Sequence, residues 1–231
     1  MELRFYFAVI SNNMAQSLSE ENYLKAIYHL SAQDSDKISL KAVASMLGNN
    51  PASVVDMLKK LTEKKLIQYD KKKGVKLTDK GSKIAILIVR RHRLWEVFLK
   101  EKLGYSWEEV HAIAEQLEHI QQEDLADRLD RFLGYPEYDP HGDPIPKSNG
   151  QLPIASKVTL SEVAVGKSCQ VVGVKDTTTP FLQYLHQLNI GIGTKIKVVE
   201  QVAFDKSVVI VIGKDARTSV SQKFAESVLI S

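Results

Sequence analysis

The stretch SLKAVASMLGNNPASVVDMLKKL, residues 39–61, decides the fold of the first third of the chain. Its first half predicts a short helix that ends at Gly48, a residue suited to the left-handed turn after a helix. Asn50 then predicts a helix cap and Pro51 the first turn of a longer helix with apolar residues at helical spacing. Two helices joined by so short a turn predict a helix-turn-helix.

The sequence on either side extends this pair into a winged helix-turn-helix. Upstream, Ser19 predicts the cap of a first helix that has one apolar side. Downstream, two strand-like runs flank a turn at residues 71–74 and predict a basic hairpin, the wing. We assign this domain to residues 17–79 and treat residues 1–16 as an N-terminal extension.

The charge of the chain is unevenly distributed, which indicates a nucleic-acid partner. Residues 1–93 carry 17 Lys and Arg against 9 Asp and Glu, whereas residues 94–140 carry 4 against 12. A helix fits the major groove of DNA, and flanking lysines contact phosphates. The alternative is that the lysines only keep a helical core soluble. We predict binding to double-stranded DNA through residues of the third helix and the wing: Asn50, Ser53, Asp56, Lys59, Lys60, Lys71, Lys72 and Lys73.

Histidines and carboxylates recur at helical spacing after the wing. A fourth helix, predicted from Thr78 to about Leu103, is apolar on nearly all sides, so Glu96 within it needs a partner such as a metal cation. His92 lies one turn earlier on the same face. A fifth helix begins near Ser106 with capping-box spacing. Its polar stripe consists of His111, Glu115, Glu118 and His119.

These donors favour a metal site, with two alternatives. Nitrogen and oxygen ligands without thiolates suit Mn(II) or Fe(II). A polar stripe opposite an apolar face is also typical of a solvent or dimer surface, which would make the chain a metal-independent winged-helix regulator. A metallohydrolase is the enzyme alternative, but the sequence has no HExxH motif and no phosphate-binding glycine loop. We therefore expect no enzymatic activity.

The composition changes after Gly134. Five prolines and three glycines between Gly134 and Pro153 predict a linker or a structured loop, which we place at residues 141–155. The helical domain then occupies residues 80–140. From residue 156 to residue 231, strand-like runs with one short helix between them predict a small SH3-like β-barrel. The fold class is mainly α with a second, β domain.

The composition also excludes several classes of protein. Hydrophobic residues make up 44% and charged residues 26%, which is typical of globular rather than disordered chains. The single cysteine, Cys169, excludes an internal disulfide and favours the cytoplasm. Because no apolar run approaches the ~20 residues needed to cross a bilayer, we expect no membrane partner.

Five short motifs follow one another along the chain: Glu20-Glu-Asn-Tyr-Leu-Lys-Ala-Ile-Tyr, Thr78-Asp-Lys-Gly, Arg91-His-Arg-Leu-Trp-Glu, Ala114-Glu-Gln-Leu-Glu-His and Asp139-Pro-His-Gly-Asp-Pro-Ile-Pro. In this order they resemble motifs of the iron- and manganese-dependent repressors of the diphtheria toxin repressor and manganese transport regulator family. The resemblance covers about residues 17–231, including the SH3-like (FeoA-like) tail of the longer members. It implies a homodimeric repressor that takes Mn(II) or Fe(II) as corepressor, binds a palindromic operator and controls metal-uptake genes.

The resemblance also implies two metal sites per subunit. The first site would fall on three residues: His92, Glu96 and His111. The second would take a ligand from Asn22, a neutral donor where relatives have Asp or Met, together with Glu115, Glu118 and His119. Manganese-type members also have a glutamate at the position of Glu115, which favours Mn(II). Those members have a second glutamate at the position of Lys25, so this chain departs from the manganese type there. Iron-type members take further metal ligands from the SH3-like domain, and Asp176 is the candidate for such a ligand in this chain.

Overall fold

The computed structural model describes residues 16–33, 38–154, 156, 158–213 and 217–231. The extension predicted at residues 1–16 lies outside the described residues except for Gln16. The chain forms two compact units. Unit 1 contains the chain up to His92 together with residues 116–129 and 146–151, and unit 2 contains residues 93–115, 130–145 and 152–231. No helix in the described ranges has both the length and the apolar character needed to cross a membrane.

Unit 1 contains the winged helix-turn-helix. Its elements are α1 (Leu18–Gln33), α2 (Leu40–Leu47), α3 (Pro51–Glu63) and the antiparallel hairpin of β1 (Ile67–Asp70) and β2 (Gly74–Leu77). Gly48 ends α2, and Asn50 Oδ1 accepts a hydrogen bond from the Ala52 backbone N at 2.9 Å, which confirms both predicted signals. The cap of α1 is Ser17 rather than Ser19, since Ser17 and Glu20 form reciprocal hydrogen bonds.

The Thr78-Asp-Lys-Gly motif joins the wing to α4 (Asp79–Leu103), a helix with residues in both units. Thr78 Oγ1 accepts a hydrogen bond from the Gly81 backbone N at 3.1 Å and donates one to the Leu66 carbonyl at 3.0 Å. A Cβ atom at Gly81 would lie 1.9 Å from that same carbonyl oxygen. The motif therefore lets the first turn of α4 pack directly on the backbone that leads into the wing.

Glu20 links α1 to the C-terminal end of α3 through ion pairs made by its buried carboxylate. Its carboxylate, 1% exposed, lies 2.7 Å from Lys64 Nζ and 3.1 Å from Lys60 Nζ. Burial alone would raise the pKa of Glu20, but the hydrogen bonds and charges of these lysines outweigh burial and hold the pKa below its ordinary value. The ion pair therefore stabilises the folded chain at neutral pH.

Glu20→Gln is expected to lower the free energy of unfolding by about 1–2 kcal/mol at neutral pH. The depressed pKa gives stability above the carboxyl's unfolded-state pKa, and that stability is lost as pH falls through the folded-state value. The difference between wild type and variant should therefore shrink in acid. Urea unfolding at about pH 7 and about pH 3 measures it, with Glu63→Gln on exposed α3 surface as control. An equal difference at both pH values would contradict the ion-pair account.

Unit 2 contains the β domain. A 3₁₀ turn (Leu160–Glu162) precedes β3 (Ser168–Val174), α7 (Thr179–Gln187), β4 (Lys195–Gln201), β5 (Val208–Ile212), β6 (Thr218–Val220), α8 (Gln222–Ser227) and β7 (Val228–Ile230). The five strands form an antiparallel sheet in the order β6-β5-β4-β3-β7. The sheet encloses an aliphatic core that includes the fully buried Leu185 and Ile196. The predicted fold class, mainly α with a β domain, is confirmed.

Two further helices, like α4, have residues in both units. They are α5 (Val110–Leu117) and α6 (Leu125–Phe132). The fifth helix was predicted to begin near Ser106 and to carry Glu118 and His119, but α5 begins at Val110 and ends before both of these residues. The residues at Ser106 form a turn before α5, where the Ser106 backbone N donates a hydrogen bond to Glu109 Oε2 at 2.9 Å.

Residues 139–143 form a buried turn, the Asp139–Asp143 turn, where sequence left open a linker or a structured loop. Asp139 Oδ1 accepts hydrogen bonds from the backbone N of His141 at 2.8 Å and of Asp143 at 3.0 Å. The carbonyl of His141 accepts a hydrogen bond from the backbone N of Val174 in β3 at 2.9 Å. The turn is thus structured, and a hydrogen bond joins it to Val174, the last residue of β3.

Candidate metal centres and nucleic-acid interface

A buried carboxylate, Glu118, is the centre of the polar cluster in unit 1. Glu118 is fully buried just after α5. Its Oε2 lies 2.6 Å from His92 Nδ1 and accepts a hydrogen bond from Lys25 Nζ at 2.8 Å. Burial alone would raise the pKa of Glu118, but His92 and Lys25 outweigh it and keep the pKa below its ordinary value. Glu118 is therefore an anionic oxygen donor at neutral pH.

A second carboxylate of unit 1, Glu21, connects α1 to the residues that follow Glu118. Glu21 Oε2 lies 2.6 Å from His119 Nδ1, and its Oε1 accepts hydrogen bonds from Arg91 Nη2 and Gln121 Nε2, both at 3.0 Å. Sequence reasoning did not single out Glu21. The side-chain Oδ1 of the neighbouring Asn22 is buried and accepts no hydrogen bond from any of the described residues. An amide oxygen left in that state fits a cation ligand.

Glu96 is the buried carboxylate at the centre of the polar cluster in unit 2. It is 2% exposed, with Oε1 3.2 Å from His111 Nδ1 and Oε2 3.6 Å from His141 Nδ1. Glu115 lies 3.6 Å from the other ring nitrogen of His111. One potential ligand atom from each of Glu96, Asp139 and His141 lies within 4.8 Å of the other two. Two carboxylates and an imidazole, all buried, therefore converge in this unit.

The electrostatics of this second cluster favour a bound cation. Burial and the negative charges of Glu96 and Asp143 together raise the pKa of Asp139 to about 7, against the opposing charges of Arg93 and His141. Burial alone would lower the pKa of His141, but its interaction with Glu96 outweighs burial and raises it. Crowded, buried carboxylates repel one another, and a divalent ion relieves that repulsion. The oxygen and nitrogen donors fit Mn(II) or Fe(II).

The sequence-predicted ligands are distributed between the units. Unit 1 contains His92, Glu118, His119 and Asn22, and unit 2 contains Glu96, His111, Glu115 and Asp176. Asp176 Oδ1 accepts a hydrogen bond from the Thr178 backbone N at the start of α7, and it belongs to none of the donor clusters found among the described residues. Sequence reasoning missed Asp139 and His141 as donors. Their only signal was the Asp139-Pro-His-Gly motif, which the surrounding prolines made resemble a linker.

The eight predicted DNA-contacting residues are all exposed, although several already have partners. Asn50 Oδ1 is engaged in capping α3, and Lys60 lies 3.1 Å from Glu20. Lys59 lies 3.3 Å from Asp56 in a pair that is exposed on both sides. The remaining four are Ser53, Lys71, Lys72 and Lys73. Backbone nitrogens of Lys72 and Lys73 donate to Asp70 Oδ1, which shapes the tip of the wing.

Comparison with protein families covers nearly the whole described chain. Residues 17–75 match the iron dependent repressor, N-terminal DNA binding domain, and residues 78–147 match the iron dependent repressor, metal binding and dimerisation domain. Residues 158–231 match the FeoA domain. The prediction of a regulator rather than an enzyme, and that of a FeoA-like tail, are confirmed.

Individual relatives agree with these matches. The iron-dependent repressor IdeR of Mycobacterium tuberculosis is 34% identical over 126 residues, which is 54% of each chain. The regulator MntR of Oceanobacillus iheyensis is 34% identical over 51% of this chain and 78% of its own length. The chain thus spans about half the length of the IdeR proteins it matches.

Solved structures extend the similarity to almost the full length. A manganese-dependent transcriptional repressor in complex with manganese is 33% identical, with a TM-score of 0.81, over 91% of this chain and 98% of its own. The manganese regulator SloR is 35% identical, with a TM-score of 0.73, over 94% and 99%. The chain therefore belongs to the family of metal-dependent transcriptional repressors that includes the iron-dependent repressors, the diphtheria toxin repressor and the manganese regulators.

Proposed function

We propose that this protein is a metal-activated transcriptional repressor that binds DNA as a homodimer and senses Mn(II), or alternatively Fe(II), to control metal-uptake genes. The observation that carries the proposal is the combination, in one chain, of a winged helix-turn-helix with buried clusters of carboxylates and imidazoles. The relatives named for manganese, and the oxygen-rich donors, support Mn(II) as the preferred ion.

Each unit would hold one set of metal ligands. In unit 1 the set is His92, Glu118, His119 and Asn22. In unit 2 it is Glu96, His111, Glu115, Asp139 and His141. Asp176 is not included, because its carboxylate accepts a hydrogen bond at the start of α7. A bound ion supplies positive charge that neutralises the buried carboxylates and holds their segments together. Asn22 and Glu118 would thereby fix α1, and Glu96 and His141 would fix the Asp139–Asp143 turn.

The DNA contacts follow from the exposed residues of unit 1. The N-terminal half of α3 would enter the major groove, where Ser53 and Asp56 would face base edges, and Asn50 would stabilise the first turn of the helix through its cap. The three lysines of the wing, with Lys59 and Lys60, would contact phosphates. Two copies of such a unit read two half-sites, which makes a palindromic operator the expected target.

Selection from a pool of random duplexes in the presence of Mn(II) tests the proposal. We expect enrichment of an inverted repeat that the protein binds in Mn(II) and releases when the ion is chelated, with Mg(II) as control. Binding that is equal with and without Mn(II) would support a metal-independent regulator instead. Enrichment of no duplex would refute the DNA-binding assignment.

The triple substitution Lys71→Gln, Lys72→Gln and Lys73→Gln is expected to weaken binding to the enriched duplex at every salt concentration. Because each phosphate contact releases about one counterion, the slope of log affinity against log salt should become less negative by about 2 to 3 units. Fluorescence anisotropy across a salt series measures both effects. Lys195→Gln, Lys197→Gln and Lys223→Gln remove the same charge from exposed sites of the β domain and should change neither. Equal slopes for the two triple variants would contradict the phosphate role.

A further inference from the structure

Lys25 occupies an unusual position for a lysine. Its side chain is only 10% exposed, although lysine is almost never buried without a partner. Its Nζ lies 2.7 Å from Glu118 Oε1 and donates a hydrogen bond to Glu118 Oε2 at 2.8 Å. The ammonium therefore covers both oxygens of the fully buried carboxylate that unit 1 offers as its anionic metal ligand.

Lys25 occupies the place beside Glu118 that a metal ion would also need. Its ammonium contacts both carboxylate oxygens, and the imidazole of His92 contacts one of them. A divalent ion bound to Glu118 would therefore lie beside the ammonium in a buried environment. Like charges at such short range repel strongly when water is excluded. The metal and the ammonium are therefore mutually exclusive at Glu118.

We propose that Lys25 is a resident cation that a metal ion must displace from Glu118, so that Lys25 raises the metal concentration at which the unit 1 ligands become occupied. This inference rests on the proposed function, since it concerns the same ligands. The four-carbon stem of lysine lets its ammonium turn away from the carboxylate without movement of α1. Whatever Lys25 adds to the stability of the metal-free chain is subtracted from the affinity for the metal, because the two states are linked.

Removing the ammonium tests this competition in the full chain. Lys25→Gln is expected to tighten Mn(II) binding at one site by at least about tenfold, the equivalent of one buried, charged hydrogen bond. The same variant should melt at a lower temperature than wild type without metal. Lys25→Arg retains a cation at the position and should bind Mn(II) as weakly as wild type. Isothermal calorimetry and metal-free thermal melting supply the two independent measurements.

Two controls assign the effect to Glu118. Lys41→Gln removes the same charge from an exposed position of α2 in the same unit, and it should leave Mn(II) affinity unchanged. In a Glu118→Gln background, Lys25→Gln should no longer tighten binding, since the contact it releases is already gone. An equal gain in Mn(II) affinity in Lys41→Gln, or a gain from Lys25→Gln that persists in the Glu118→Gln background, would contradict the proposed competition.

The outcomes separate this inference from the proposed function. If no variant, wild type included, gives a binding heat with Mn(II), the proposed metal sensing fails. If wild type binds Mn(II) and Lys25→Gln binds it with equal or weaker affinity, only the inference fails, and the ion pair is a structural link between α1 and the Glu118 segment.

Discussion

Gly142→Ala is expected to lower the free energy of unfolding by about 3 kcal/mol and to weaken Mn(II) binding in unit 2 about a hundredfold, although position 142 supplies no ligand. Gly142 has a φ of +87°, and a Cβ there would lie 2.1 Å from the Val172 carbonyl oxygen and 2.4 Å from Gly173 Cα. Both atoms belong to the backbone of β3, which cannot yield as a side chain can. The turn would have to move off the strand and carry Asp139 and His141 with it.

Gly166→Ala is the matched control for this prediction. Gly166 has nearly the same φ, +88°, but a Cβ there would have no neighbour within 4 Å. That variant should show only the cost of a left-handed alanine, about 1 kcal/mol, and unchanged metal binding. Chemical unfolding and calorimetry compare the two variants. Equal losses would mean that backbone conformation alone, rather than the close approach to β3, makes Gly142 necessary.

Glu96→Gln is expected to weaken Mn(II) binding about a thousandfold while it changes the fold little, because the amide fills nearly the same volume without the charge. Glu96 lies beside both His111 and His141, and its charge raises the pKa of Asp139. The variant should therefore also show a lower pKa for Asp139. Mn(II) titration by calorimetry and carboxyl titration by NMR provide the measurements.

Glu101→Gln on the same helix, at an exposed position, controls for the loss of a negative charge from α4. It should retain the affinity of wild type for Mn(II). A loss of less than about threefold in Glu96→Gln would remove Glu96 from the proposed ligands, since one charged ligand accounts for far more than that. Duplex binding in Mn(II) should fail in the same variant if the unit 2 ligands contribute to activation.

Local signals determined how much of the fold could be predicted. Gly48 and the pair Asn50-Pro51 act within one helical turn, so their roles were readable from the sequence. The predicted cap of α1, Ser19, was wrong by two residues, because the reciprocal hydrogen bonds of Glu20 are made with Ser17. The strands β6 and β7 have three residues each, too few for an alternating pattern, and depend on pairing with distant strands.

The polar clusters show where sequence reasoning reaches its limit. Spacing along the predicted helices indicated His92, Glu96 and the polar stripe from His111 to His119, because residues four apart on a helix share a face. Contacts across the chain gave no such signal: Lys25 and Glu118 are 93 positions apart, and the contact between His141 and Glu96 also joins distant parts of the sequence. The proposed ligands Asp139 and His141 therefore had to come from the fold.

The hydrogen bond from Val174 to His141 gives the β domain a task beyond its own stability. The turn is anchored to β3 through this bond, and it would lose that anchor once the strand melts. Heat or denaturant that opens the sheet would therefore also displace Asp139 and His141, so that metal binding in unit 2 would be lost together with the fold of the β domain.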